Sequence, residues 1–300
     1  MENQRRVIAL GFFDGVHLGH GALLRRVAEI AETKNALPCA FTFDQSPAAA
    51  LTGRAVPLIT AVEDKRWLME KLYGVRELIV APFSLLRDMD WRDFVTDYLQ
   101  KELGVIHAVA GHDFRFGRGG EGDPRCLKEL CGELGAGCDI IPKVEVDGIT
   151  VSSTHIRTLV TEGKSEEAAR FLGHPHILSG TVVHGRGLGR TLGAPTANLL
   201  VRPGIIAPAF GVYASRAVLP DGETHPAVTN VGVRPTVSRE EAGVTVEPWI
   251  LDYQGDLYGK TIRLELHKRL RPERRFDSVD ELRAAILQNA EETRIYFNET

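Results

Sequence analysis

The strongest constraint on the fold is a change of rhythm near residue 175. Upstream, short apolar runs alternate with segments of helical periodicity, whereas downstream, period-2 stretches punctuated by glycine and proline lead to a single final helix. Val7 to Leu10, Pro38 to Phe43, Leu78 to Ala81 and His107 to Ala110 read as strands. Between them fall three helices. The first runs through Leu23, Leu24, Val27 and Ile30, and the second is opened by a Thr60/Glu63 capping box and runs through Trp67, Leu68 and Leu72 to Gly74. The third carries Trp91, Phe94, Val95, Tyr98 and Leu99 before Gly104. Such alternation dictates a parallel sheet with right-handed crossovers. Beyond the turn-rich His174, Pro175, His176 segment, period-2 runs such as Thr261 to Leu266 predict a mostly antiparallel β domain, and Ser278 with Glu281 opens the last helix. An α/β chain of two domains, residues 1–175 and 176–300, is expected, in keeping with its 300-residue length.

Composition narrows the function classes. With 43% hydrophobic and 25% charged residues the chain has the material for real cores. A net charge of -4 gives no global field for nucleic acid, so anionic ligands must be held by local groups. Cys39, Cys126, Cys131 and Cys138 lack paired CxxC spacing, so reduced thiols and a cytoplasmic location are expected. No apolar segment approaches the ~20 residues of a spanning helix, and no membrane partner is expected.

The densest chemistry lies in GFFDGVHLGH, residues 11 to 20, between the first strand and the first helix. A turn at the carboxyl end of a parallel strand aims backbone N–H groups and a helix dipole into the cleft where phosphates bind. Gly11, Gly15 and Gly19 permit tight bends and close backbone approach. His17 and His20, three apart, share a face if the helix has begun by His17, and both can then donate to one phosphoryl group. A second cluster is VSSTHIR, residues 151 to 157. Ser152, Ser153 and Thr154 suit a helix N-cap, and Arg157 lies one turn inside, able to reach an anion at the same helix terminus.

GFFDGVHLGH together with SSTHIR resembles the paired signatures of the nucleotidylyltransferase superfamily. With HDFRFG at 112 to 117, it resembles the adenylyltransferase module of bacterial riboflavin kinase/FAD synthetases. GRTLGAPTANL (189 to 199), GVY (211 to 213), NVGVRPT (230 to 236), VEPWILDY (246 to 253), GDLYGK (255 to 260) and LRPERRF (270 to 276) resemble the riboflavin kinase module. The resemblance implies a Rossmann-like nucleotidylyltransferase domain followed by an antiparallel β-barrel kinase domain with a terminal helix. It implies phosphorylation of riboflavin to FMN and adenylation of FMN to FAD, with ATP and Mg²⁺. It also places Phe12, Asp14 and Asp113 at the nucleotide site and Arg271 at the flavin. A transferase with another acceptor, such as a cytidylyltransferase fused to a barrel, is one competing reading. The other is a flavin- or nucleotide-binding regulator, which predicts loss of His20, Arg157 or Glu247, all present here.

Residue chemistry fills in the roles. Adenylyl transfer requires donors for the charge on an α-phosphoryl group and no protein nucleophile, which suits His17, His20, the turn amides and Arg157. The kinase half requires a base. If residues 246 to 253 form one strand, Glu247 shares a face with Trp249, Leu251 and Tyr253, surroundings that favour a raised carboxyl pKa; Pro248 leaves open an exposed edge strand instead. In PTAN, Thr196 and Asn198 offer hard oxygens for Mg²⁺, although the pair also reads as a turn. Gly185, Gly187, Gly189 and Gly193 either admit phosphates to backbone amides or make a flap. Two further patterns mislead: Gly117, Gly119 and Gly122 fit GxGxxG without a strand-to-helix setting, and Gly259-Lys260-Thr261 resembles a Walker loop end whose first glycine position holds Gln254. The chain departs from the family at Gln45-Ser46 before Pro47 and at Trp249, positions where histidines are common.

Overall fold

A computed structural model of the chain describes residues 4–185, 193–233 and 244–299. It forms two compact units: Met1–Val56 with Val62–Ser152, and Pro57–Ala61 with Ser153–Thr300.

The first unit is a five-stranded parallel sheet in the order β3-β2-β1-β4-β5. Its strands are β1 (Arg6–Leu10), β2 (Leu37–Phe43), β3 (Glu77–Ala81), β4 (Val105–Gly111) and β5 (Gly137–Ile141). Helices α1 (Leu18–Lys34), α2 (Pro47–Thr52), α3 (Val62–Tyr73), α4 (Phe83–Leu86), α5 (Trp91–Asp93) and α6 (Pro124–Glu133) connect them, and β6 (Glu145–Val146) pairs with β7 (Ile149–Thr150). Val7, Ile8, Ala9 and Leu10 are all buried, as a central strand covered on both faces requires. The expected α1 stripe of Leu23, Leu24, Val27 and Ile30 is the face that packs inward. Two details differ from expectation. Beyond Asp93 the Trp91 helix continues as a π-helix over Phe94–Glu102, still burying Phe94, Val95 and Leu99. On α3 the buried face is Asp64, Lys65, Leu68 and Met69, while Leu72 is 39% exposed.

The second unit opens with α7 (Ser153–Glu162) and α8 (Ser165–Leu172) and continues as a closed barrel in the order β10-β11-β12-β9-β8-β13. The strands are β8 (His176–Val183), β9 (Asn198–Val201), β10 (Gly211–Val218), β11 (Thr224–Val233), β12 (Val244–Ile250) and β13 (Thr261–Pro272), followed by α9 (Val279–Glu299). Period-2 alternation sorts each strand: Val246 and Ile250 of β12 join Leu178, Leu199, Tyr213, Val231, Ile262 and Leu264 inside. Each such side chain contributes about 1.5–3 kcal/mol by leaving water. A smaller outer cluster of Val212, Val228, Leu251 and Ala290, flanked by Trp249 and Leu270, forms where α9 packs on β10 and β11. Ser278 caps α9 as expected, Glu281 N–H donating to Ser278 Oγ at 3.2 Å, whereas the Glu281 carboxylate accepts from Asp277 N–H at 3.3 Å instead of closing the box on Ser278.

Candidate active sites

In the first unit, the order of the sheet puts its topological switch point between β1 and β4, and ligands of open α/β sheets bind outside the carboxyl ends of such strands. The Gly11–His20 turn leaves β1 there, and the loop holding exposed Asp113 leaves β4 beside it. The turn is tightly bent: Phe13 (φ 55°), Gly15 (φ 86°) and Val16 (φ 43°) all lie in the left-handed region. Only Gly15 tolerates this without strain; the fully buried Phe13 and Val16 are held there by packing. His17 is the N-cap of α1, its Nδ1 accepting from the His20 N–H at 3.3 Å. The two imidazoles stack with centroids 3.6 Å apart and planes 12° from parallel, so the expected shared face exists. Gly19 lets the ring lie close, since a Cβ there would sit 3.1 Å from His17 Cε1 and the imidazole would have to give by a few tenths of an ångström. Burial, the adjacent His17 and Lys65 hold the His20 imidazole well below the ordinary histidine range. At neutral pH His20 is therefore a neutral ring that can give one N–H, and its buried Nδ1 has no hydrogen-bond partner.

Sequence reasoning missed Lys65. Its side chain is fully buried, and Nζ donates to the Phe12 carbonyl at 2.9 Å while lying 3.9 Å from the centre of the Phe12 ring. Thr42 Oγ1 donates to the same carbonyl at 2.9 Å. Asp14 is also buried. The unusual Gln45-Ser46 pair has a local role: Ser46 caps α2 by accepting from Ala49 N–H. GxGxxG at Gly117–Gly122 spans a short 3₁₀ turn and no strand-to-helix junction.

In the second unit, cross-strand register assembles a row that the linear sequence scatters. Arg271 on β13 pairs with Val212 on β10, Val212 with Asn230 on β11, and Asn230 with Glu247 on β12. On the far side Val246 pairs with Leu199 and Ala197 N–H donates to the Pro248 carbonyl, which sets Glu247 opposite Asn198 of β9. Directly opposed residues share a sheet face, here the face beneath α9. This row floors a cleft of about 710 Å³ whose lining includes Thr196, Asn230, Glu247, Trp249, Arg271, Phe276 and Asn289. Asn230 and Asn289 had no signal in the sequence beyond lying in or after family-like segments. Asn289 on α9 holds Arg271, accepting from its Nε at 3.0 Å. Phe276 is within 5.3 Å of the Arg271 guanidinium.

β12 is paired on both sides, so Glu247 is not on an edge strand. Trp249 shares its face, as expected; Tyr253 does not. The strand ends at Ile250, Asp252 turns the backbone at φ 58°, and Tyr253 packs on the barrel core and lines a second cleft of about 320 Å³. Thr196 lines both clefts. Its hydroxyl and the Asn198 amide oxygen are neutral hard donors, and Gly185 lies so close that a Cβ there would overlap the Asn198 amide. Among the described residues no group of three or more His, Cys, Asp or Glu gathers to hold a metal. The donors present fit a Mg²⁺ that keeps several waters and shares its coordination with phosphates. Gly193 is left-handed (φ 79°) just before PTAN; Gly187 and Gly189 lie outside the described residues, as does Arg234 to Thr236 of NVGVRPT.

Ser153 and Thr154 start α7 directly after Ser152, and Arg157 Nε donates to the Pro57 carbonyl at 2.9 Å. No helix among the described residues is long and apolar enough to cross a membrane.

A strand-to-helix turn at the switch point of an α/β sheet and a carboxylate-bearing cleft on a barrel fit one class, a phosphotransferase built from two modules. Comparison with known proteins specifies it. A family model of FAD synthetase matches residues 1–155 and one of riboflavin kinase matches 172–297. The chain is 37% identical to the bifunctional riboflavin kinase/FMN adenylyltransferase of Listeria monocytogenes, over 97% of this chain and 92% of that protein. It is 36% identical to the protein of the same name from Escherichia coli strain K12, over 98% and 93%. A solved structure described as a macrolide-efflux protein from Streptococcus pneumoniae superposes with a TM-score of 0.83 at 31% identity, covering 98% of this chain and 95% of that one. The chain belongs to the bifunctional riboflavin kinase/FMN adenylyltransferase family. It is an enzyme of FAD biosynthesis with both activities.

Proposed function

We propose that the two activities divide between residues 1–175 and 176–300, and that each runs on the groups described above. The observation that supports this most is the cross-strand row, which lines up a carboxylate, an amide and a guanidinium on the floor of one cleft.

In the kinase half, riboflavin lies in the larger cleft with Trp249 and Phe276 as apolar walls and Arg271 as its polar contact. Glu247 takes the proton of the ribityl 5′-hydroxyl as that oxygen bonds to the γ-phosphorus of ATP, and the bond to the bridging oxygen breaks to release ADP. Thr196 and Asn198 would hold the Mg²⁺ that accompanies ATP, and the ion would neutralise phosphate charge there. Gly193 lets the backbone before PTAN bend toward the phosphates.

In the adenylyltransferase half, a phosphate oxygen of FMN attacks the α-phosphorus of a second ATP and pyrophosphate departs. His17, His20 and the amides of the turn that follows Gly11, at Phe12, Gly15 and Gly19, stabilise the charge on that phosphoryl group. Asp14 and Asp113 contribute to nucleotide binding. Following the superfamily's second signature, Ser153, Thr154 and Arg157 also serve adenylyl transfer. We place the enzyme in the cytoplasm, where ATP and free thiols coexist.

The purified chain supplied with riboflavin and MgATP should yield FMN and then FAD on chromatography. Arg157→Met should stop FAD formation from FMN while leaving riboflavin phosphorylation within about twofold of native. An Arg157→Met protein that still makes FAD at the native rate removes Arg157 from adenylyl transfer.

A further inference from the structure

The α3 helix does something a solvent-facing amphipathic helix does not: it buries a lysine to zero exposure with its ammonium against the phosphate-binding turn. Buried cations are rare and are retained where they are paired or used. Nothing in the reaction so far uses this one.

Its surroundings identify its job. The Phe12 carbonyl accepts from two side chains on two different elements, Lys65 Nζ of α3 and Thr42 Oγ1 of β2, each at 2.9 Å. The Phe12 ring lies under the ammonium at 3.9 Å, a cation–π contact. Phe13 and Val16, strained at positive φ, follow immediately, then the stacked His17 and His20. Strained backbone of this kind persists only where its surroundings over-determine it. We propose that Lys65 is a positioning residue for adenylyl transfer, clamping the Phe12 carbonyl and so fixing the turn that presents His17 and His20 to the phosphates. The inference rests on the assignment of those two histidines to ATP.

The charged groups around the ammonium agree. Buried Asp14 of the turn attracts it, and Lys65 in turn helps to keep His20 unprotonated. Burial pulls the ammonium down to about 8, so it is mostly charged at neutral pH and titrates just above it.

The test compares native chain with Lys65→Met and Lys65→Gln, measuring FMN adenylation against pH and ATP concentration, with riboflavin phosphorylation and thermal unfolding as controls. Lys65→Gln retains a donor for Phe12 without the charge. Native adenylation should fall part way, toward the Lys65→Gln level, on an alkaline limb near pH 8 as the charge is lost and a neutral donor remains, and both variants should lack that limb. Lys65→Met should lower kcat at pH 7 at least ~10-fold with little change in KM, as expected when a transition-state arrangement is loosened, and Lys65→Gln should lie between it and native. Phosphorylation should stay at the native rate in both. Variants that keep native kcat and the alkaline limb overturn the proposal. His20→Ala serves as a separate check: if it adenylates FMN normally, the histidine assignment falls and this inference with it, whereas an inactive His20→Ala beside a fully active Lys65→Met overturns the lysine alone.

Discussion

At the scale of single residues, the Gly11–His20 turn trades stability for geometry. Lys65 is the clearest case: holding an ammonium whose pKa falls from 10.5 to about 8 on folding costs about 3 kcal/mol at neutral pH. That cost is relieved between pH 8 and 10.5, where the unfolded chain still binds the proton and the folded one has released it. Gly19 makes the same trade in a different way. Alanine in its place would favour the first turn of α1 by up to about 1 kcal/mol, yet its Cβ would press on the His17 ring. Gly19→Ala should therefore unfold at the native temperature or slightly above, while FMN adenylation falls at least ~10-fold. Calorimetry paired with an adenylation assay reads both; a variant that loses stability and keeps activity contradicts the close-approach argument.

At the scale of elements, α9 and β8 each make a measurable contribution. α9 roofs the larger barrel cleft and holds Arg271 through Asn289; with riboflavin in that cleft as proposed, Asn289→Leu should raise KM for riboflavin roughly tenfold, the worth of one lost hydrogen bond to a charged group. Unchanged KM would mean that Arg271 does not depend on the helix. β8 begins at His176, whose burial pushes its pKa down to about 4. The folded state thus prefers the neutral ring, so stability present above pH 6.5 is lost as pH falls toward 4, by about 3 kcal/mol for this residue. Urea unfolding of the native chain at pH 7 and pH 4.5 should show that loss, and His176→Asn should flatten it. An equally steep acid loss in the variant assigns it to other groups.

For the whole molecule, the architecture was legible in the sequence and the sites only partly so. Continuous apolar runs such as Val7 to Leu10 announce a covered parallel strand, and the β12 alternation places Glu247 beside Trp249, because both follow from backbone periodicity. Lys65 stayed hidden because polar patterning assigns a lysine to solvent, and its burial emerges only once β2, α3 and the turn are packed together. The row from Arg271 through Asn230 to Glu247 stayed hidden because strand register is a tertiary property, spread here over some sixty residues of chain. Tyr253 fell off the expected face for a local reason, the turn at Asp252. The central claim is that one chain bears two chemically independent sites, and a reciprocal pair of variants tests it most directly. With riboflavin, FMN and MgATP supplied in turn and products resolved by chromatography, Glu247→Ala should form no FMN yet convert supplied FMN to FAD, and His20→Ala should form FMN and no FAD; either variant losing both reactions while still folded would contradict the account.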